Sequence, residues 1–251
     1  MIKYKNFNKY GPITSLNFIL LLVLPLSLLI GSGVINFIII AFDILFIIEI
    51  IKQNKIDFLK NNIFYFLITI WIYLIINSVL GINTENSIIR SFGFVRFIIL
   101  VMGINYYLYK DYKLFEEIIL KLWSFLFLIV TLDLLFESIF GFNTFGNQSL
   151  ATGRLSGFLG EELKIGNYYF GFVLIALSFI IYKFKNNYIF FFLTILFLTV
   201  ALLIGERSNF LKILIIVPMF TLLFEKKYFL KKIFLLLIAV SILISIIFFI
   251  F

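Results

Sequence analysis

The 251-residue chain contains no cysteine and no histidine. The first absence excludes disulfides and thiolate metal sites, and the second removes the commonest general base and metal ligand among side chains. Any catalysis is left to Arg, Lys, Asp, Glu, Tyr or backbone groups. Charge is scarce too, at 14% of residues against 63% hydrophobic and 20% aromatic, and the mean hydropathy is +1.14. No water-soluble core can absorb that much apolar surface, so this is the composition of a membrane protein.

What charge there is sums to +8. The basic residues stand in short clusters between apolar runs of spanning length, so they read as topology determinants with the lipid bilayer as partner, not as a nucleic-acid surface. The N-terminus superficially resembles a signal peptide: Lys3, Lys5 and Lys9 precede an apolar run at 18–30 and then Gly31-Ser32-Gly33. A second apolar run follows at once, so the pair reads as an uncleaved helical hairpin.

At about 20 apolar residues per span, the sequence predicts an all-α bundle of nine spans: 14–30, 33–51, 62–80, 91–109, 114–140, 165–182, 188–204, 208–224 and 233–251. Together these make one transmembrane domain over 1–251. The fifth span is long enough to be broken or tilted. The segment 141–164 carries five glycines and cannot be a regular span. Alternating the segments places Lys3, Lys5, Lys9, Lys52, Lys55, Lys60, Lys110, Lys113, Lys183, Lys185, Lys226, Lys227, Lys231 and Lys232 on one side, and Arg90, Arg154, Lys164 and Arg207 on the other. The lysine-rich side is then cytoplasmic, and the N-terminus with it.

All four arginines, Arg90, Arg96, Arg154 and Arg207, fall in the outer half of this topology. If Lys and Arg were interchangeable, that placement would arise roughly once in 400 trials; only Arg, however, offers a planar fork of donors that grips phosphate or carboxylate bidentately. The arginines therefore point to an outer-face anion site. Arg154 opens a stretch with four charges and three glycines, 154–166, at the mouth of the sixth span. Glycines let backbone N–H groups approach an anion and a helix N-terminus adds a positive dipole end; spacing alone equally allows a solvated loop. Arg207 lies in the turn Gly205-Glu206-Arg207-Ser208-Asn209, where Ser208 or Asn209 can cap the eighth span, the alternative being a capped turn with a local Glu206–Arg207 pair. Arg96 sits about five residues inside the fourth span, roughly 8 Å deep, and needs a partner or a watery cavity. Asp133 and Glu137, four apart on one face of the fifth span, are candidates; the alternative is a salt bridge that only locks two helices. Asp43, in mid-span, reads either as a proton-coupling group or as a hydrogen-bonded packing residue. Asn147-Gln148-Ser149 matches a glycosylation sequon by a short pattern only.

These residues carry a resemblance. The chain resembles the bacterial O-antigen polymerase and O-antigen ligase superfamily of integral-membrane glycosyltransferases through Phe142-Asn143-Thr144-Phe145-Gly146, through the run from Gly153-Arg154-Leu155-Ser156-Gly157 to Gly166-Asn167-Tyr168, and through Gly205-Glu206-Arg207-Ser208 one hairpin later. With the hydropathy profile, the likeness covers about 60–251. It implies a multi-pass protein of the bacterial inner membrane that polymerises or transfers undecaprenyl-pyrophosphate-linked oligosaccharide on the periplasmic face, without a cofactor or metal, beside other polysaccharide-assembly membrane proteins. It implies Arg154 and Arg207 as holders of the pyrophosphate leaving group and Glu162 as the acidic residue, with Arg90, Arg96, Gly157, Gly160 and Ser208 as further substrate-binding candidates. The family's ligases carry a histidine in a large periplasmic loop, which this chain lacks; that fits a polymerase better and leads to the expectation of an incomplete chain. The competing readings are a membrane transporter or lipid-linked glycan flippase, with Arg96, Asp133 and Asp43 along a path, and an inactive membrane subunit.

The topology is testable because the chain has no native cysteine. Cysteine at position 147 should react with an impermeant maleimide applied from outside and cysteine at position 55 should not; the reverse pattern would invert the orientation.

Overall fold

The computed structural model describes residues 10–148, 153–162, 165–184 and 187–224. The expected span at 233–251, Lys164, and the lysines near both ends that are expected to be cytoplasmic lie outside them. The described residues are all-helical without a strand. Helices occupy the first eight expected spans: α1 (Pro12–Ile30), α2 (Ser32–Lys52), α3 (Asn62–Val79), α4 (Thr84–Gly93) running into α5 (Val95–Lys110), α6 (Tyr112–Phe140), α7 (Ile165–Phe184), α8 (Asn187–Leu203) and α9 (Arg207–Phe224). Six helical segments among the described residues are long and apolar enough to cross a membrane, with α4 and α5 counted together. Large apolar side chains such as Phe37, Ile44, Phe66 and Leu132 stand exposed on them, as lipid-facing residues would. The chain divides into two compact units, 1–119 and 120–251.

In the first unit Gly31, at φ +147°, joins α1 to α2 in a one-residue turn, a backbone region that favours glycine. The core is built from Phe18, Leu21, Phe42, Phe46, Ile98, Met102 and Tyr107. Gly103 on α5 admits the Phe42 ring, since a Cβ there would lie 2.5 Å from Phe42 Cε1. The fourth expected span, 91–109, proves to be two helices. The polar stretch from Thr84 forms its own amphipathic helix, and the i−3 bonds Phe94 N–H to Ser91 O (3.2 Å) and Phe97 N–H to Phe94 O (2.9 Å) mark the break before α5. Trp71 on α3 donates its indole N–H to Ser91 O at 2.8 Å, and the Ser78 and Ser91 hydroxyls pair beside it.

One end of this unit is held by a buried carboxylate. Glu49, 2% exposed on α2, accepts from Thr14 Oγ1 (2.8 Å), Gln53 Nε2 (2.9 Å), the Tyr107 hydroxyl and Lys110 Nζ. It thereby ties the start of α1 to the ends of α2 and α5. Just beyond, Asp111 caps α6 by accepting Leu114 N–H at 3.0 Å and accepts the Tyr10 hydroxyl with its other oxygen. Partial burial, with that hydrogen bond, pushes the Tyr10 phenol up to about 12, so it stays a donor.

The fifth span, expected to be broken or tilted, is one continuous helical segment, Tyr112–Phe140. A π-helical stretch, Phe115–Leu120, lies within its 29 residues, and at 1.5 Å per residue the segment is longer than a hydrocarbon core of about 30 Å. In the second unit α6, α7, α8 and α9 pack around Phe127, whose ring lies 4.7 Å from Tyr169 and 5.1 Å from Phe197. Small residues Ala176 and Ala201 are fully buried there.

Removing one partner of a buried ion pair leaves an uncompensated charge, so Glu49→Ala should destabilise the chain by about 3–5 kcal/mol, and Glu49→Met combined with Lys110→Met should recover most of that. Unfolding of the purified protein in detergent measures both; equal losses in the single and double variants would show that the pair does not hold this end together.

Candidate functional site

The second unit gathers one end of each of its helices around the glycine-rich segment. Gly141, left-handed at φ +79°, stops α6 with its N–H on Glu137 O at 2.8 Å. Asn143, fully buried, then folds the next residues back: its Oδ1 accepts the N–H groups of Phe145 (3.0 Å) and Asn147 (2.8 Å), and its Nδ2 donates to Gly157 O at 2.6 Å. One side chain thus joins both limbs of the loop.

Two carboxylates of α6 complete the anchoring. Asp133 Oδ1 accepts Thr144 N–H (2.9 Å) and Thr144 Oγ1 (2.6 Å). Glu137 accepts Ser156 N–H (2.8 Å) and Ser156 Oγ (2.8 Å) on Oε1 and Gly157 N–H (2.7 Å) on Oε2. Both carboxylates are buried and accept donors, fully for Glu137 and through Oδ1 alone for Asp133, whose Oδ2 has no partner. Asp133 and Glu137 do share a face, but they hold their own loop; Arg96, in the first unit, has its guanidinium 4.8 Å from the Phe97 ring and acts electrostatically on Asp43 of α2.

The anchored loop meets the turn before α9. Leu155 N–H donates to Ile204 O at 3.2 Å. Gly205, at φ +77°, packs so closely that a Cβ there would lie 2.1 Å from Gly153 O and 3.2 Å from Arg154 Cα. The Arg154 segment and the Gly205-Glu206-Arg207 turn, 51 residues apart at Arg154 and Gly205, are therefore adjacent. Both arginines are exposed, and neither makes a hydrogen bond or ion pair among the described residues. Two exposed guanidinium groups on neighbouring backbone segments are of a chemistry suited to a multivalent anion.

Glu206 has a different part from a local pair with Arg207. Its carbonyl accepts Phe210 N–H at 2.9 Å, which makes it the residue just ahead of α9, whereas Ser208 and Asn209, the expected caps, lie inside the helix. Its carboxylate accepts Gly166 N–H in the first turn of α7 (3.2 Å) and the Asn209 amide; Asn209 Oδ1 in turn accepts Lys212 Nζ at 3.2 Å. The α7 N-terminus, expected to face a ligand, is thus occupied by the protein's own anion. A Cβ at Gly166 would lie 2.4 Å from Glu206 Oε2, so glycine makes room for the carboxylate.

The remaining candidates divide. Gly157 is buried at φ +52° with its N–H on Glu137, and it organises the loop instead of offering a donor outward. Gly160, at φ +55° and ψ −123°, breaks the 3₁₀ turn Gly157–Glu162. Ser208 is exposed in the first turn of α9, next to Arg207. The side chain of Glu162 lies outside the described residues. Arg90, exposed in the last turn of α4, and Arg96, half-buried in the first turn of α5, belong to the first unit. No three carboxylates come together as a metal site among the described residues. Sequence reading does not single out Asn143 or Ser156 as organisers, although the turn-forming run 142–146 holds the available signal, an Asn three residues before a Gly.

If Glu137 anchors the loop, Glu137→Ala should leave three donors without an acceptor, cost about 1–3 kcal/mol per lost group, and open residues 153–157. Trypsin should then cut after Arg154 several-fold faster than in the parent or in a Glu85→Ala control; an unchanged rate would assign the anchoring elsewhere. As to likeness with known proteins, no family model, no curated protein and no solved structure matches this chain.

Proposed function

We propose that this chain is a metal-independent membrane glycosyltransferase that polymerises or transfers oligosaccharide from an undecaprenyl-pyrophosphate carrier on the outer face of the bacterial inner membrane. The observation that carries this reading is the adjacency of the Arg154 and Arg207 segments, joined through Leu155 N–H and Ile204 O. An acceptor hydroxyl oxygen forms a bond to the anomeric carbon while the bond from that carbon to the pyrophosphate oxygen breaks, so the departing group gains negative charge as the hydroxyl loses its proton. Arg154 and Arg207 neutralise that charge by bidentate pairing. Ser208 adjoins Arg207 in the first turn of α9, Gly160 follows Arg154 in the same loop, and Glu162 is the acidic candidate for the released proton. Glu206, already accepting two donors, is a positioning residue: it holds the α7 and α9 N-termini together beneath the arginines. Other polysaccharide-assembly membrane proteins are the natural partners of such an enzyme.

Arg154→Lys and Arg207→Lys each keep the charge and lose the fork. In the full-length protein, both should abolish surface-glycan polymerisation or transfer without lowering membrane abundance, while Lys52→Arg is silent. In nanodiscs, Arg207→Ala should weaken binding of undecaprenyl pyrophosphate by about 1.5–3 kcal/mol, the loss of one charge-assisted contact. Normal glycan length in both Lys variants, or binding indifferent to both arginines, would overturn the proposal and move weight to a transporter.

A further inference from the structure

The helices of the first unit treat their two buried carboxylates in opposite ways. Glu49 is surrounded by donors from Thr14, Gln53, Tyr107 and Lys110. Asp43, two turns earlier on α2, is 5% exposed and neither of its oxygens has a hydrogen-bond partner. It is the twelfth residue of the 21-residue helix Ser32–Lys52, about 16 Å from the helix start at 1.5 Å per residue, which is mid-depth in any bilayer that α2 spans. An ionised carboxylate buried without donors is among the most costly groups a protein can hold.

The neighbours narrow what can occupy the site. α2 packs against α1 and α5. From Pro12 to Ile30, α1 has no Asp, Glu, Lys, Arg or Tyr. Of the titratable groups on α5, Lys110 and Tyr107 are committed to Glu49 and Tyr106 donates to Gln53 Oε1 at 2.8 Å, while Tyr109 is exposed at 74%. Arg96 remains. It acts on Asp43 by charge without forming an ion pair among the described residues, and its Nε is itself buried with no acceptor. No group of three carboxylates is present among the described residues to hold a metal ion. A single buried carboxyl with no donors around it has the coordination number of a proton.

We propose that Asp43 is a reversible proton-binding site inside the first unit, and that its state is sensed by Arg96 on α5. With the proton bound, the carboxyl is neutral and the α2–α5 contact at its level is the apolar one of Phe42 against Gly103, the Glu49 cluster lying nearer the helix ends. When the proton leaves to solvent, the carboxylate attracts the Arg96 guanidinium across the α2–α5 contact. The site is independent of the exposed arginines of the second unit, and its test does not rely on any activity.

The experiment is carbodiimide labelling of the full chain in nanodiscs, read by peptide mass spectrometry. A carbodiimide takes up the carboxyl proton as the carboxylate oxygen adds to its central carbon, so labelling reports a bound proton. The membrane-soluble reagent dicyclohexylcarbodiimide should modify Asp43, less as pH rises. A water-soluble carbodiimide should modify the exposed Asp57 and spare Asp43. Asp43→Asn should abolish the adduct, and Arg96→Gln should increase it several-fold at fixed pH, because loss of the cation favours the neutral carboxyl. An absent adduct, a pH-independent one, labelling by both reagents alike, or protection by sodium ions at constant ionic strength would each overturn the proposal.

Discussion

The second unit depends on the carboxylate of Glu137. It is 3% exposed at the end of an apolar helix, and its three accepted hydrogen bonds fix the backbone at Ser156 and Gly157. With that backbone fixed, Leu155 can reach Ile204 and Arg154 is held against Gly205. Asn143 adds a second lock by bonding Gly157 O. A loop of five glycines has much conformational entropy to lose on ordering, and buried charge-assisted bonds are the strongest interactions available to offset it. Asp133, Glu137 and Glu206 are committed to backbone and side-chain donors, so none of the three pairs with the exposed arginines.

The same economy of polar groups governs the whole molecule. With so few charged residues, each buried one has an identifiable task. Glu49 clamps three helices, Asp133 and Glu137 clamp a loop, and Glu206 links two helix N-termini. Asp43 stands apart because it has no donor at all. Glycines serve the complementary purpose of close approach: Gly103 to Phe42, Gly166 to Glu206 and Gly205 to Gly153 would each place a Cβ within 2.5 Å of another atom. Polar locks and glycine clearances fall at the same junctions, since a carboxylate that must touch backbone N–H groups needs backbone without side chains beside it.

The amino-acid sequence by itself determined the class and the placement of the helices. Apolar runs of spanning length leave a backbone in lipid no choice but to satisfy its own hydrogen bonds as helix, so α1, α2, α3, α7 and α8 begin and end within two residues of their expected limits. The glycines of 141–164 marked the irregular segment, and the charges in the two turns marked the candidate site. Tertiary structure alone decided which groups meet. Hydropathy records how polar a residue is but not which donor lies opposite it, so Asp133 and Glu137 were legible as costly carboxylates while their partners in Thr144, Ser156 and Gly157 were not. Likewise, the α7 N-terminus belongs to Glu206, because hydrogen bonds and Coulomb attraction act over a few ångströms of space, and only packing brings residues far apart in the chain within that range.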